Sequence, residues 1–154
     1  MKTIHHKRLN FHGIKSAVMY FMAFGIGIAS VIKYSVVMGI ISFILVVLAL
    51  VCVSLVYCSK CNCRTNCNHW ILGKMSVLLS RQREGTYTSY EIIFGLVVPL
   101  VIAIAFPQYW LIKNNVLFFI YWGLMIIAGL EVYLFVCKQC SNKKCALCRT
   151  KAIL

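Results

Sequence analysis

The sequence predicts an all-α polytopic membrane protein whose four transmembrane helices form two tandem hairpins. Of its 154 residues, 62% are hydrophobic and only 12% are charged. The apolar residues collect in four runs, each long enough, at about 1.5 Å per residue, to cross roughly 30 Å of hydrocarbon. Short basic segments separate these runs, as expected for successive membrane crossings.

The first two runs lie at about residues 16–32 and 35–57. The basic stretch Met1–Lys15 is expected to be a cytoplasmic arm, with a cleaved signal peptide as the alternative because a basic start precedes an apolar core. Since only Lys33 and Tyr34 separate the two runs, the second helix must turn straight back. We therefore expect a tight hairpin.

The segment at about residues 70–90 predicts a short interfacial amphipathic helix that ends at Glu84-Gly85. Its apolar residues recur at helical spacing, and basic residues occupy much of the rest. The apolar residues are Trp70, Ile71, Met75, Leu78 and Leu79. We expect this helix to lie in the headgroup plane of the membrane.

The third and fourth runs lie at about residues 92–112 and 116–136. Pro99 lies inside the third run and predicts a kink, which neighbouring helices tolerate. Glu91, at the mouth of that run, is expected to be interfacial. Aromatic residues mark the far interface: Tyr34, Tyr109, Trp110, Tyr121 and Trp122.

Basic residues are concentrated on one side of the predicted membrane. Fourteen of the sixteen lysines and arginines lie in the two terminal segments and the central segment, against Lys33 and Lys113 in the opposite turns. By the positive-inside rule, both termini are cytoplasmic in a multi-pass protein of the cell inner membrane. The net charge of +13 is therefore attributed to topology and to anionic lipid at the cytoplasmic face, not to nucleic acid.

The two halves of the chain look like copies of one another. Residues 52–61 align without a gap on residues 131–140, and both members of each C-x2-C motif match. We expect one membrane domain, residues 1–154, made of repeat units at about residues 16–69 and 91–148. An axis along the membrane normal would relate the units and bring their cysteines together at one rim.

Eight of the nine cysteines lie in two clusters, each directly after an apolar run. The candidate metal ligands are Cys58, Cys61, Cys63, Cys67 and His69 in the first cluster and Cys137, Cys140, Cys145 and Cys148 in the second. Cytoplasmic thiols stay reduced, and four thiolates, or three with an imidazole, suit tetrahedral zinc or an iron–sulfur cluster. Neither cluster has the spacing of bacterial ferredoxins, which makes an iron–sulfur cluster less favoured without excluding it. Zinc and an iron–sulfur cluster therefore both remain candidates.

Other roles for these sulfurs stay open as well: palmitoylation, plain packing and thiol–disulfide chemistry. Cys52 lies within the second run, where packing is expected. Glu131 is the one acid inside an apolar run, six residues before Cys137. Because an ionised acid in lipid is costly, we expect Glu131 to pair with a basic residue of the clusters or to form an intramembrane proton or ion site.

The pattern of Cys58 and Cys61, further cysteines, Gly73-Lys74 and Leu78-Leu79 resembles a group of uncharacterised prokaryotic cysteine-rich four-helix membrane proteins. The resemblance covers about residues 55–145 and implies no particular activity.

Together these patterns favour a membrane protein that binds zinc or iron–sulfur through two cytoplasmic cysteine clusters. Its role would be structural or in electron transfer, within a complex of membrane subunits. Two alternatives remain: transport or handling of soft ions such as Cu(I) or Hg(II), and a membrane thiol oxidoreductase working with quinone. The chain has no phosphate-binding glycine loop and no aspartate, so enzymatic function is disfavoured.

Overall fold

The computed structural model describes residues 2–61 and 70–137, with the side chains of residues 11–61 and 71–137. Within these ranges the chain is all-helical and contains no strand. Four helical segments are long and apolar enough to cross a membrane: span 1 (Phe11–Ile32), span 2 (Val36–Lys60), span 3 (Ser89–Leu111) and span 4 (Asn115–Val136). The predicted set of four apolar helices is therefore confirmed, and it indicates a multi-pass membrane protein.

Span 1 belongs to one long helix, α1 (Lys2–Ile32), of 31 residues. At 1.5 Å per residue, α1 is about 46 Å long, well over the roughly 30 Å of a hydrocarbon core. The segment before residue 16 was expected to be an arm, yet it is helical. Once a helix is nucleated, each added residue gains one hydrogen bond, so propagation continues where no strong breaker intervenes. This extension brings His12 and Lys15 into the bundle.

The turn between α1 and α2 (Val36–Cys52) is as tight as predicted. Ser35 caps α2, because its Oγ accepts a hydrogen bond from the Met38 N–H at 3.4 Å. A Cβ at Gly39 would lie 3.3 Å from the Ile32 Cα and closer still to that side chain. The lack of a side chain at Gly39 is what allows α2 to return along α1.

Both spans that precede a cysteine motif end in the same way. After α2, the chain forms a five-residue π-turn, Val53–Tyr57, followed by a 3-10 turn, Cys58–Lys60. After α7 (Asn115–Glu131), it forms a second five-residue π-turn, Val132–Val136. The two π-turns occupy aligned positions of the predicted repeat. The division of the chain into two repeat units stays a prediction.

The segment after the first cysteine cluster contains α3 (Trp70–Leu79), which is shorter than predicted. Helix α3 packs against α1 and against the end of span 2. Its buried residues are the small Gly73 and Ser76, whereas the Leu78 side chain is 85% exposed. Close helix packing selects small residues for the inner face. Of the described apolar side chains, Ile71, Leu72 and Met75 are half-buried, whereas Val77, Leu78 and Leu79 are exposed, so only part of the apolar side faces away from the bundle. The position of α3 in the headgroup plane stays a prediction.

Span 3 is the least regular of the four. It consists of α4 (Ser89–Ile92), a π-turn (Ile93–Val97), α5 (Val98–Ala105) and α6 (Gln108–Leu111). The π-turn comes just before Pro99, and the break between α5 and α6 contains Pro107. Since proline has no N–H to donate, the helical hydrogen-bond pattern changes at both places.

Helix α1 lies at the centre of the bundle. It packs extensively against α7 and α2, while α2 packs against α5. Spans 3 and 4 meet through α6 and α7, near the turn that joins them. Span 4 therefore lies on span 1 and span 3 lies on span 2.

A buried core joins α1, α6 and α7. Its members are Ala23, Leu111, Tyr121 and Met125. Tyr121, which the sequence analysis assigned to the far interface, is 0% exposed and packs against α1 instead of facing lipid. Gly27 makes room for it: a Cβ there would lie 3.3 Å from the Tyr121 ring. Sequence alone could not distinguish a lipid-facing tyrosine from one that faces α1.

Candidate functional site

Two ion pairs show that the candidate site lies at one end of the bundle. Glu131 of span 4 contacts His12 near the start of span 1, and Lys60 of span 2 contacts Glu91 near the start of span 3. Because Cys58 and Cys61 flank Lys60, and Cys137 directly follows span 4, both C-x2-C motifs begin at this end. The remaining predicted ligands lie outside the described residues: Cys63, Cys67, His69, Cys140, Cys145 and Cys148.

The first C-x2-C motif forms a compact 3-10 turn. The Cys61 N–H donates to the Cys58 carbonyl oxygen at 3.0 Å. Cys61 follows the turn as its C-cap, with extended backbone angles of φ −78° and ψ 119°. Both cysteines are half-buried. The turn keeps Cys58 and Cys61 within three residues of one another, the C-x2-C spacing from which two thiolates can bind one ion.

The two residues between these cysteines are more buried than the cysteines themselves. Ser59 is 0% exposed and Lys60 is 8% exposed. The Ser59 hydroxyl donates to the Val56 carbonyl at 3.3 Å, and the Ser59 carbonyl accepts from the Arg83 N–H at 3.0 Å. Polar spacer residues thus face the protein, and the sulfur-bearing residues lie toward the rim.

Lys60 is held by two acceptors at the start of span 3. Its Nζ donates to Glu91 Oε2 at 2.7 Å and to the Thr86 carbonyl at 3.0 Å. The side chains of Lys60 and Glu91 are only 9% and 16% exposed. An ammonium group buried to this extent needs a charged or strongly polar partner. We call this arrangement the Lys60–Glu91 clamp, because it fastens the cysteine turn to span 3.

The position of Glu91 follows from local sequence. Thr88 Oγ1 accepts from the Glu91 N–H at 3.4 Å, and Glu91 Oε2 accepts from the Thr88 N–H at 3.0 Å. This reciprocal pair is a capping box, and its T-x-x-E spacing can be read from sequence. The sequence analysis missed the role of Glu91, since spacing alone does not reveal that Lys60 is its partner.

Two further contacts fix the end of span 2 against span 3. The rings of Tyr57 and Tyr87 stack with centroids 4.7 Å apart. A Cβ at Gly95 would lie 2.7 Å from the Val56 Cβ and nearer still to its methyl group. The glycine therefore lets the π-turn of span 3 contact the π-turn of span 2.

The second acid–base group joins span 4 to α1. Lys15 Nζ contacts Glu131 Oε1, and His12 Nδ1 lies 2.8 Å from Glu131 Oε2. The imidazole also stacks on Phe135, with ring centroids 4.4 Å apart and planes 5° apart. The expectation for Glu131 named a basic residue of the clusters, whereas these partners are on α1. They were missed because residues before 16 were expected to lie outside the span.

Among the described side chains, no three histidine, cysteine, aspartate or glutamate groups are placed to hold a metal ion together. The Cys58–Cys61 turn therefore offers two sulfur ligands, and a tetrahedral site needs two more. Cys52 is a half-buried free thiol at the last residue of α2, inside span 2.

No family model, curated protein or solved structure matches this chain. Function is therefore inferred from the geometry of the site.

Proposed function

We propose that this protein binds a thiophilic metal ion, zinc or the iron of an iron–sulfur cluster, at the cytoplasmic face of the cell membrane. Cys58 and Cys61 supply two ligands, and residues from Cys63, Cys67 and His69 complete the site. The observation that carries the proposal is the 3-10 turn Cys58–Lys60, which is closed by the hydrogen bond from the Cys61 N–H to the Cys58 carbonyl while its spacer residues are buried. The second cluster, from Cys137 onward, would form a like site.

The position of the turn favours a bound cation over thiol–disulfide exchange. Reactive C-x-x-C thiolates are stabilised at a helix N-terminus, where the dipole is positive. Here Cys58 lies at the C-terminal end of span 2, where the dipole is negative. A bound metal cation would offset that charge, whereas a free thiolate would be disfavoured.

The surroundings of Glu131 argue against a transport path for soft ions. Both carboxylate oxygens already contact basic groups, one with Lys15 and one with His12. These contacts match the structural pairing expected for an acid in an apolar span. A structural or electron-transfer role in a membrane complex fits better than transport.

The same proposal sets the membrane topology: two hairpins, with both termini in the cytoplasm and α3 at the headgroups. Two features support this position of α3. Leu78 is 85% exposed on the outer side of the helix, and the exposed Arg81 and Arg83 follow it. An apolar side chain beside cationic ones fits the surface of anionic lipid.

Metal analysis and a visible spectrum of the purified full-length protein test this function. We expect bound zinc, or iron with sulfide absorbance, in the wild-type protein. In the double variant Cys58→Ser/Cys61→Ser, the metal bound per protein should fall by the amount that the first site holds. Cys52→Ser is the matched control, because it removes a cysteine of span 2 outside the motif. A metal-free protein whose thiols cycle with quinone would overturn the proposal in favour of the oxidoreductase.

A further inference from the structure

The Lys60–Glu91 clamp holds the cysteine turn through Lys60, which is itself a residue of the turn. Lys60 is the residue directly before Cys61, and its ammonium group is fixed to Glu91 Oε2 at 2.7 Å and to the Thr86 carbonyl at 3.0 Å. Ser59, the other spacer residue, is held by the Arg83 N–H at 3.0 Å. Both spacers are thus fastened to residues 83–91, and the backbone between the two sulfurs has little freedom to change.

From this geometry we infer that Glu91 is a positioning residue for the Cys58–Cys61 pair: it keeps the two thiols together before an ion arrives. A C-x-x-C loop without such support samples many sulfur–sulfur separations, and ion binding must then pay the cost of ordering it. Support beyond the direct ligands commonly changes metal affinity by about 10–100-fold. The affinity part of this inference rests on the proposed function, while the spacing part does not.

An ordinary structural salt bridge would have a different consequence. If the pair only joined span 2 to span 3, loss of Glu91 would lower overall stability and leave the two thiols equally close together. If Glu91 positions the turn, its loss separates the thiols even in protein that stays folded. The distance between the sulfurs is therefore the quantity to measure.

The test uses the full-length protein in detergent, stripped of metal with a chelator. Dibromobimane bridges two neighbouring thiols, and peptide mapping identifies the Cys58–Cys61 bridge; monobromobimane reports each thiol singly. The variant is Glu91→Gln, which keeps the size of the side chain and an oxygen for the Thr88 cap. The control is Glu84→Gln, the same change at an exposed acid of the same segment.

We expect Glu91→Gln to slow bridging several-fold relative to single alkylation, and Glu84→Gln to leave that ratio unchanged. Cadmium affinity, followed by sulfur-to-metal charge-transfer absorption, should fall about 10-fold or more in Glu91→Gln. An unchanged bridging ratio in folded Glu91→Gln would overturn the inference.

Two safeguards keep the outcomes distinct. If Glu91→Gln does not fold, Lys60→Met replaces it, because it breaks the same ion pair while Glu91 keeps its hydrogen bonds with Thr88. Slow bridging in that variant supports positioning, and normal bridging overturns it. If bridging slows but the wild-type protein binds no metal, the positioning role stands and the proposed function fails.

Discussion

Two acid–base groups lie at the cysteine-bearing end of the bundle, and they differ in whether the base is buried together with the acid. At the first cysteine motif, both partners are inside: the side chain of Lys60 is 9% exposed and that of Glu91 is 16% exposed. Before the second motif, only the acid is: Glu131 is 12% exposed, whereas Lys15 is 42% exposed. The first pair therefore fixes the motif itself, and the second fixes the helix that leads to its motif.

This difference follows from the position of each charge in its element. Lys60 is a spacer residue of a C-x2-C turn, so its anchoring restrains the backbone between two candidate ligands. Glu131 precedes Cys137 by a whole π-turn, Val132–Val136, and its partners come from α1. Similar chemistry at one end of the bundle thus holds a turn in one place and joins two helices in the other.

Removing each acid is the strongest way to separate the two groups. We expect Glu91→Ala to lower the thermal midpoint in detergent by roughly twice as much as Glu131→Ala, because it leaves a buried ammonium group without its counter-ion. The long Lys15 side chain can instead reach the interface when Glu131 is lost. Glu84→Ala is the control and should leave the midpoint unchanged. Equal losses for the two acids would contradict the contrast.

The contact between π-turns should be the next most sensitive feature. Gly95→Ala places a methyl group against Val56 at the distance given above, so the free energy of unfolding should fall by about 1–3 kcal/mol, as in other overpacked sites. Gly123→Ala is the matched control, because a Cβ there meets nothing within 4 Å. Reversible unfolding in mixed detergent measures both. Similar values for the two variants would mean that the π-turns do not depend on this contact.

The capping box supports Glu91 but not Glu131, so its removal also distinguishes the two acid–base groups. Thr88→Ala should cost about 0.5–2 kcal/mol of unfolding free energy, the usual range for loss of a helix cap. Thr86→Ala is the control, because the Thr86 contact with Lys60 uses the main-chain carbonyl, which the substitution keeps. The same denaturation assay applies. A larger loss for Thr86→Ala than for Thr88→Ala would argue against the assigned cap.

The smallest effect is expected at the exposed base of the second group. Lys15→Met should change stability by no more than about 1 kcal/mol, in line with exposed ion pairs. Glu131 keeps His12 as a partner in this variant. Thermal unfolding of Lys15→Met, compared with that of wild type and of Glu131→Ala, measures this change. A loss as large as that of Glu131→Ala would show that Lys15 carries the whole interaction.

Local sequence patterns predicted part of the candidate end, through the C-x2-C spacing and the single acid at Glu131 in an apolar run. The T-x-x-E cap at Thr88 is also visible in the chain, although the sequence analysis did not use it. The pairing of Lys60 with Glu91 joins residues 31 positions apart, and that of Lys15 with Glu131 joins residues 116 positions apart. These pairs depend on which spans lie side by side. The hydropathy pattern of the sequence does not specify the neighbours, because it is the same for every arrangement of the four spans.

The sequence alone determined the number of spans and their approximate limits, because lipid requires long apolar helices with satisfied backbones. Tertiary packing decided the rest. It buried Tyr121 behind Gly27, turned the small residues of α3 inward and fastened Lys60 to Glu91. Each of these outcomes follows from the shape of a neighbouring helix, which a single run of residues does not encode.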